Sequence, residues 1–556
     1  MTFRLAMAQI NPVAGDLERN TGLILDGISK AAQMGADLAV FPELSVSGYP
    51  PEDLLLRPSF IRRCREALER IAAQTRGTAA IVGAPVAHGG SLKNAAAILA
   101  GGKVAGFIAK TELPNYGVFD EKRYFTPGAN GPLISIGSAL VGVTICEDIW
   151  TSDAITARQA ADGANLLVNI SASPYREGAL EARMRLVSQT ARRHKIAFAY
   201  CNITGGQDEL IFDGRSFVTG QDGSQTAAMA AFEEDFLLVD IPGLSPGGSA
   251  GREVIAITSG SASKPPIAEK PRAPIAGPDE EVYMALALGV KDYIGKNRFP
   301  GAIVALSGGI DSALTCAIAV DALGPQRVMG LLMPSPFSSR GSVDDAAKLA
   351  ANLGIKTATL PIGEAMETYD RILSDVFRGR PKDVAEENIQ ARIRGNLVMA
   401  ISNKTGMLAL TTGNKSETAM GYCTLYGDMA GGLAVIKDVY KMKVYALSRW
   451  RNQKAGRDLI PRESIEKEPS AELRPGQKDT DSLPPYDVLD PILRDYIEGG
   501  LDADQIAAKG ADPALVARII RMVDMNEYKR RQGPIGLKIT EKAFGRDRRL
   551  PITCRY

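Results

Sequence analysis

One cysteine lies where it could act as a nucleophile. The stretch SALVGVTICEDIW (138–150) reads as a buried strand that carries Cys146 at its end. A nucleophilic thiol needs a base, and the usual base is histidine. The chain has only two histidines, His88 and His194, and neither lies in a recognisable catalytic context. The residue that activates this cysteine must therefore be of another type.

Two further apolar runs end in a charged residue. LAVFPEL presents Glu43 and VAGFIAK presents Lys110. Both are expected at the rim of a sheet, where sites collect in layered α/β proteins. Glu43 can accept the thiol proton, and Lys110 can favour the thiolate and stabilise the negative charge of a tetrahedral intermediate. The three residues form a candidate catalytic set whose base is a carboxylate.

In this order and in these contexts, Glu43, Lys110 and Cys146 resemble the Glu–Lys–Cys triad of the nitrilase (carbon–nitrogen hydrolase) superfamily. The resemblance covers roughly residues 1–265. It implies a four-layer αββα fold and hydrolysis of an amide through a thioester.

The same resemblance implies roles for residues near the triad. Glu121, in LPNYGVFDEKRYF, matches a second catalytic glutamate, and Tyr116 in the same stretch matches a residue of the glutamine pocket. Ser173, in NISASPY, matches a glutamine contact. Members that use glutamine usually have a basic residue shortly after this serine. Here that position is Ala179, with Arg176 nearby, so this contact is not carried over.

A second motif, AIVALSGGIDSALT (302–315), predicts a phosphate-binding loop. An apolar strand ends at Leu306, a tight turn covers Ser307 to Gly309, and a helix opens at Ile310. Glycines let a backbone approach a ligand closely, and the start of a helix offers free N–H groups and a positive dipole end. The loop is not a Walker A motif, because no GKS or GKT follows the glycines.

The motif resembles the PP-loop of ATP pyrophosphatases. That resemblance implies cleavage of ATP between the α and β phosphates, adenylation of a carboxylate or carbonyl oxygen, and displacement of AMP by a nucleophile. Asp311 fits a Mg²⁺ ligand, since Mg²⁺ favours hard oxygen ligands and substrate phosphates. The implied ATP-binding residues are Ser307, Gly308, Gly309, Ile310, Asp311, Ser312 and Thr412.

Residues farther along resemble those of the NAD synthetase family, in which such positions bind ATP and deamido-NAD. Glu417 matches a second Mg²⁺ ligand or substrate contact. The implied deamido-NAD contacts are Asn388, Glu417, Asp428, Lys441 and Lys529. Over its full length the chain resembles the glutamine-dependent NAD synthetase family, in which the first half makes ammonia from glutamine and the second half consumes it.

Composition excludes several classes of protein. The chain has 556 residues, enough for two large domains, and its 65 basic and 64 acidic residues give a net charge of +1. No nucleic-acid or membrane partner is expected, and six scattered cysteines without a CxxC pair argue against a disulfide framework and a zinc site. With no signal peptide or apolar span, a cytoplasmic setting is expected.

Both halves alternate strand-like and helix-like runs, which predicts an α/β fold twice, with a doubly wound parallel sheet in the second half. We expect domains at 1–265 and 281–556 joined by a linker at 266–280, which is rich in Pro and Ala. An irregular stretch at 461–485 predicts a lid or a disordered loop. The family resemblance implies a homo-oligomer.

Free ammonia at neutral pH is mostly ammonium, a poor nucleophile, so we expect an enclosed passage between the two sites.

Three alternative functions are compatible with part of this interpretation. The acceptor could be another carboxylate or a nucleobase carbonyl. The first half could be a scaffold on an ammonia-only synthetase, or the chain could be a nucleotide-sensing module.

Overall fold

The computed structural model of the chain describes residues 2–244, 253–258, 264, 267 and 273–554. It divides into two compact units, the first comprising Met1–Gln207 with Ile211–Ile275 and the second Asp208–Leu210 with Ala276–Tyr556. Residues 266 and 268–272 of the predicted linker lie outside the described residues, and the predicted domain bounds stay a prediction. A helix starts at Pro278, where the acidic PDEE stretch predicts one.

The described part of the first unit contains fifteen strands and four α-helices. The strands are β1 Phe3–Gln9, β2 Leu38–Val40, β3 Ala79–His88, β4 Ser91–Ala100, β5 Lys103–Ala109, β6 Leu133–Ile136, β7 Ala139–Ile145, β8 Leu166–Ser171, β9 Ala197–Asn202, β10 Thr204–Gln207, β11 Leu210–Asp213, β12 Phe217–Thr219, β13 Gln225–Ala228, β14 Asp235–Ile241 and β15 Val254–Ile257. The helices are α1 Leu17–Gln33, α2 Pro58–Gln74, α3 Ala154–Ala161 and α4 Ala179–His194.

These elements form four layers. One sheet has six strands in the order β14-β1-β2-β3-β4-β5, and the other has seven in the order β13-β12-β9-β8-β7-β6-β15. Apolar side chains of both sheets, among them Leu5, Val40, Ile145 and Val168, share one buried core between the sheets. Helices α1 and α2 pack on the first sheet, and α3 and α4 on the second. The predicted αββα fold is confirmed.

The described part of the second unit contains five strands and twelve α-helices. The strands are β16 Ala302–Ala305, β17 Val328–Leu332, β18 Lys356–Thr359, β19 Leu408–Thr411 and β20 Leu433–Ala434. The helices are α5 Pro278–Lys296, α6 Ile310–Leu323, α7 Arg340–Leu353, α8 Gly363–Leu373, α9 Val384–Thr405, α10 Lys415–Met420, α11 Lys441–Ala455, α12 Arg462–Glu466, α13 Tyr486–Ile497, α14 Ala503–Ala507, α15 Pro513–Met525 and α16 Glu527–Arg530.

The sheet of the second unit is parallel throughout, in the order β18-β17-β16-β19-β20. The crossover from β16 to β17 and the crossover from β18 to β19 run in opposite directions across it. Right-handed crossovers therefore place α6 and α9 on opposite faces, which confirms the doubly wound parallel sheet. The order reverses between β16 and β19, and ligands of such folds bind at this switch point, beyond the carboxyl ends of the strands.

The 461–485 segment is more regular than its sequence indicates. Helix α12 begins at Arg462, and a short 3-10 helix covers Asp479–Asp481. Between them, Glu472 accepts hydrogen bonds from Ser339 and Ser342 at the start of α7. Apart from these two short helices the segment is irregular, as expected, and its role as a lid stays a prediction.

Two smaller features bear on the expected setting of the protein. No helix among the described residues combines the length and the apolar character that a membrane crossing requires. All six cysteines lie in the described part of the chain, and each is a free thiol.

Candidate active sites

The three residues of the predicted triad each follow a strand of the first unit. Glu43 comes after β2, which ends at Val40, while Lys110 directly follows β5 and Cys146 directly follows β7. All three side chains are buried, with 0%, 1% and 4% of the residue exposed, respectively. The expectation that apolar runs deliver these residues at strand ends is confirmed.

The Lys110 ammonium connects two carboxylates. Its Nζ lies 2.7 Å from Oε1 of Glu43 and 2.7 Å from Oε1 of Glu121. Burial alone would lower the pKa of Lys110, but the charges of Glu121 and Glu43 outweigh it and raise that pKa well above its usual value. Lys110 is therefore a fixed cation beside the triad base.

Glu43 is held in one orientation by neutral donors as well. Asn94 Nδ2 donates to its Oε1 at 2.7 Å, and the backbone N–H of Ala172 donates to its Oε2 at 2.9 Å. Since every one of these donors belongs to a different strand or loop, the carboxylate is positioned before any substrate arrives.

Cys146 lies in an unusual backbone conformation. Its φ is +42°, the left-handed region that L residues with a side chain rarely adopt. Burial, followed by the charge of Glu43, raises the pKa of the thiol well above its usual value, and Lys110 only partly opposes this. The thiol is thus protonated at neutral pH, and it needs a base at the moment of attack rather than resting as a thiolate.

Glu121 titrates near neutrality. Burial raises its pKa to about 7, the charge of Lys110 opposes this rise, and the charge of Glu43 adds to it. The Tyr49 hydroxyl lies 3.5 Å from Oε1 of Glu121. The structure brings this predicted residue into direct contact with the triad lysine.

The loop after Lys110 and the turn after Cys146 are tied together by Asp148. Its carboxylate accepts hydrogen bonds from the backbone N–H groups of Thr111, Glu112 and Ile145 at 2.8–2.9 Å. Burial raises the pKa of Asp148 to about 6, and the backbone donors limit this rise. Asp148 is one of the two acids that follow Cys146, and the sequence alone does not show its positioning role.

Both predicted glutamine contacts lie beside the triad. The Tyr116 hydroxyl donates to Glu147, the residue after Cys146, with both carboxylate oxygens at 3.0 Å. Ser173 follows Ala172, whose N–H binds Glu43, and its own N–H donates to Asn202 Oδ1 at 2.9 Å. Glu147, a buried acid directly after the nucleophile, is therefore held by the Tyr116 hydroxyl.

In the second unit, SGGIDS lies at the switch point of the sheet. Strand β16 ends at Ala305, one residue before the predicted end, and Gly309 caps α6 without a side-chain hydrogen bond. Gly308 has φ +83°, and a Cβ there would lie 2.2 Å from the carbonyl oxygen of Ser342. The loop therefore requires glycine, and the free N–H groups of α6 face the cleft as an anion site requires.

Asp311 and Glu417 meet at Lys441. The ammonium of Lys441 donates to Asp311 Oδ2 at 2.5 Å and to Glu417 Oε1 at 3.1 Å, and Asn414 Nδ2 donates to the other oxygen of Asp311 at 3.0 Å. Burial raises the pKa of Glu417 to about 8; Lys441 opposes this rise, and the charges of Asp311 and Asp479 add to it.

This pair of carboxylates fits Mg²⁺ by its chemistry. Both groups are hard oxygen donors that already face one cationic group. Within the described ranges, no cluster of three or more His, Cys, Asp or Glu side chains could hold a metal ion. The remaining ligands of an ion bound by Asp311 and Glu417 would thus be phosphate and water oxygens, as is usual for Mg²⁺.

A cavity of about 320 Å³ lies at this edge of the sheet. Most of the predicted nucleotide-binding residues line it, namely Ser307, Gly309, Ile310, Asp311, Ser312, Thr412, Glu417, Asp428 and Lys441. The 461–485 segment contributes to the wall through Lys467 to Glu472 and Asp479.

Two predicted deamido-NAD contacts, Asn388 and Lys529, are not among the lining residues. Asn388 Oδ1 accepts a 2.7 Å hydrogen bond from the Thr424 hydroxyl, and Lys529 Nζ donates to the carbonyls of Gly421 and Cys423 at 2.7 and 2.9 Å. In this structure both residues support the loop that carries Asp428.

Sequence reasoning missed several polar residues of the two sites. Asn94 and Glu147 lie at the triad, and Arg394, Lys437 and Lys467 line the cavity. The acids that directly follow Cys146 were a usable signal for the first site. The cavity residues lie on separate elements, so only the fold brings them together.

Comparison with known proteins supports two units with different chemistry. Residues 4–244 match the family model described as carbon-nitrogen hydrolase, and residues 282–533 match the one described as NAD synthase. The fold and the two sites thus define a two-domain enzyme that joins an amide-hydrolysing unit to an ATP-dependent ligase unit.

Relatives that match over the full length of the chain identify the family within this class. A glutamine-dependent NAD(+) synthetase of Thermotoga maritima is 46% identical, covering 100% of this chain and 99% of its own, and one of Synechocystis sp. is 44% identical, covering 99% and 98%. A solved structure of the Acinetobacter baumannii glutamine-dependent NAD+ synthetase in complex with ADP is 40% identical, with a TM-score of 0.78 over 99% of this chain and 98% of that one. The chain belongs to the family of glutamine-dependent NAD(+) synthetases.

Proposed function

We propose that the protein makes NAD from deamido-NAD, ATP and glutamine, with release of glutamate, AMP and pyrophosphate. One observation carries this proposal: a single chain holds both a buried Glu43–Lys110–Cys146 set and an SGGIDS loop at the switch point of a parallel sheet. The first set suits amide hydrolysis and the second suits nucleotide chemistry, so one can supply the nitrogen that the other consumes.

At the first site, Glu43 accepts the proton of Cys146 as the sulfur attacks the amide carbon of glutamine. The Lys110 ammonium stabilises the charge that develops on the amide oxygen. The protonated Glu43 then gives its proton to the leaving nitrogen, ammonia departs, and a thioester forms. Water, activated by the same carboxylate, releases glutamate.

Three further residues support this step. Glu121 holds Lys110 in place through the 2.7 Å contact, and thereby acts on the oxyanion through Lys110. Tyr116 and Ser173 lie beside the nucleophile, where they can bind the amino-acid end of glutamine. That assignment rests on the family resemblance and on this proximity.

At the second site, the loop from Ser307 to Ser312, with Thr412, binds the phosphates and nucleoside of ATP. The carboxylate of deamido-NAD attacks the α-phosphorus, pyrophosphate leaves, and ammonia then displaces AMP from the acyl adenylate. A Mg²⁺ ion held by Asp311 and Glu417 would neutralise phosphate charge there. Asn388, Asp428, Lys441 and Lys529 complete the proposed deamido-NAD site.

Several expectations remain part of the proposal. A passage for ammonia, a homo-oligomeric assembly and a cytoplasmic location follow from the chemistry or from the family resemblance. So does the division into a glutaminase domain at 1–265 and a synthetase domain at 281–556.

Isotope transfer tests the proposed function. The full-length protein is incubated with deamido-NAD, ATP, Mg²⁺ and glutamine labelled with ¹⁵N at its side-chain amide, and the product is analysed by mass spectrometry. We expect NAD that carries the label. Absence of NAD, or unlabelled NAD, would contradict the proposal.

A further inference from the structure

Lys437 is a buried cation in the wall of the cavity. It follows β20, only 7% of the residue is exposed, and its ammonium donates to the carbonyl oxygen of Pro534 at 2.6 Å. Its stem lies across Gly536, where a Cβ would meet Lys437 Cβ and Cδ at 2.6 Å. The side chain is therefore held with its charged end at the cavity.

This cation differs from the other buried lysines of the second unit. Lys441 contacts two carboxylates, and Lys415 pairs with Asp438 and Glu498. For Lys437, no carboxylate of the described residues lies within ion-pair distance of Nζ. A buried ammonium without a counter-ion is costly, so such a group is expected to meet an anion.

The electrostatic surroundings of Lys437 are consistent with an anion-binding role. Burial lowers the pKa of Lys437 to about 8, an effect that Cys423 and the more distant carboxylates of Glu527 and Glu209 oppose and that the charge of Arg530 increases. An anion bound next to the ammonium would reverse the effect of burial and restore the charge.

The position of Lys437 indicates which anion this is. Strand β20 is at the edge of the sheet, two strands from β16, whose loop suits phosphates. Neighbouring strands are about 4.8 Å apart, so the two strand ends are separated by about 10 Å. Lys437, three residues beyond the end of β20, lines the same cavity as that loop, so a carboxylate bound by Lys437 and the phosphates held by the loop share one space.

The walls next to Lys437 suit a ring rather than a chain of phosphates. At Gly533 a Cβ would meet the terminal methyl of Met429 at 2.9 Å and Nζ of Lys437 at 3.5 Å. Pro534 and Ala434 also line this end of the cavity. These are mostly apolar groups around one cation, which matches a flat aromatic ring with a single carboxylate.

An acid at the same end completes the charge pattern. Asp428 also lines the cavity, and the side chain of the next residue, Met429, approaches the same glycine, Gly533, as the Lys437 ammonium. A nicotinate ring in a dinucleotide carries a positive ring nitrogen and a negative carboxylate. Asp428 and Lys437 offer the complementary pair.

We propose that Lys437 binds the pyridine carboxylate of deamido-NAD and so distinguishes that acid substrate from its amide product. This rests on the proposed function of the second site. When amidation replaces the carboxylate with a neutral carboxamide, the ammonium loses its counter-ion. The product cannot form this ion pair, so we expect it to bind less tightly than the substrate.

Binding of two dinucleotides that differ in one group tests this inference. Calorimetric titrations of the full-length protein with deamido-NAD and with NAD, each without and with a non-hydrolysable ATP analogue, give the ratio of the two dissociation constants. The variants are Lys437→Met, which keeps the apolar stem, and Lys437→Arg, which keeps the charge. Lys509→Met, at a surface lysine that pairs with Asp495, is the matched control.

We expect the wild type and Lys509→Met to bind deamido-NAD more tightly than NAD. Lys437→Met should reduce that preference by at least about tenfold, mainly through weaker binding of deamido-NAD, and Lys437→Arg should retain part of it. Affinity for the ATP analogue and the melting temperature should stay close to wild type.

Two results would overturn the inference. One is an unchanged preference in Lys437→Met. The other is a loss of affinity for the ATP analogue in that variant, which would make Lys437 a phosphate contact. Failure of the wild type to bind deamido-NAD would instead contradict the proposed function, and the inference with it.

Discussion

Glu121 and Lys110 form a buried ion pair, with Oε1 of the glutamate 2.7 Å from Nζ of the lysine. The same ammonium also contacts Glu43, the proposed base. Two carboxylates thus share one cation next to Cys146. Because their mutual repulsion adds to burial, the pKa of Glu121 rises to about 7.

The first prediction follows from that pKa. A carboxyl whose pKa is about 7 when folded and 4.5 when exposed contributes stability that is fully present below about pH 4.5 and lost as the pH rises through about 7. Glu121→Gln should therefore lose less stability than wild type between about pH 5 and about pH 8. Thermal unfolding across this range measures it, with Glu66→Gln on an exposed helix face as control. A steeper decline in Glu121→Gln would refute the assignment.

The second prediction concerns two adjacent glycines. Gly308→Ala would bring a Cβ to 2.2 Å from a backbone oxygen of Ser342 at a φ of +83°, whereas at Gly309 the nearest atom is a serine hydroxyl at 3.3 Å. We expect Gly308→Ala to weaken ATP binding strongly and to lower the free energy of unfolding by about 1–3 kcal/mol. Gly309→Ala should be milder in both respects. Equal effects of the two changes on ATP affinity and chemical denaturation would contradict this account.

Residues at or shortly after the end of a strand could be predicted from the sequence. Glu43, Lys110 and Cys146 each end an apolar run, and the SGGIDS loop joins a strand pattern to a helix pattern, so local chemistry and position agree. Such signals need only a few consecutive residues. They predicted most of the residues that the structure brings together beside Cys146 and around the cavity, and they predicted the fold of each half.

Other features depend on contacts between distant segments. Lys437 follows a strand of two residues, too short to give a pattern, and its burial comes from Pro534 and Gly536 about a hundred positions later. The conformation of the 461–485 segment likewise depends on hydrogen bonds to α7, which its Pro-rich, charged sequence does not encode locally.

The third prediction concerns the two carboxylates that meet at Lys441. Asp311→Asn and Glu417→Gln keep the shape of each side chain but remove the charges that fit Mg²⁺. NAD synthesis should fall by at least about a hundredfold with glutamine and with ammonium alike. Release of glutamate from glutamine should continue. Assays of NAD and of glutamate on the same samples distinguish this loss of synthesis from unfolding. Loss of synthesis with only one of the two nitrogen sources would contradict the prediction.

The fourth prediction concerns the hydrogen bonds that join Glu472 to the start of α7. Its carboxylate accepts hydrogen bonds from the Ser339 hydroxyl at 2.9 Å, the Ser342 hydroxyl at 2.7 Å and the Lys467 ammonium at 2.7 Å. Glu472→Gln should weaken this set and speed amide exchange in the 467–481 segment. Exchange monitored by mass spectrometry would show it, with Glu367→Gln on the exposed face of α8 as the control. Unchanged exchange would mean that the hydrogen bonds of Glu472 do not hold the segment in place.

The most direct measurement compares nitrogen sources for Cys146→Ala. NAD formation is followed in the wild type and in the variant, with ATP, Mg²⁺ and deamido-NAD, first with glutamine and then with ammonium chloride. Since Cys146 is the proposed nucleophile of one site only, the variant should form NAD from ammonium at nearly the wild-type rate and none from glutamine. Equal loss with both sources, or undiminished use of glutamine, would contradict two sites with separate tasks.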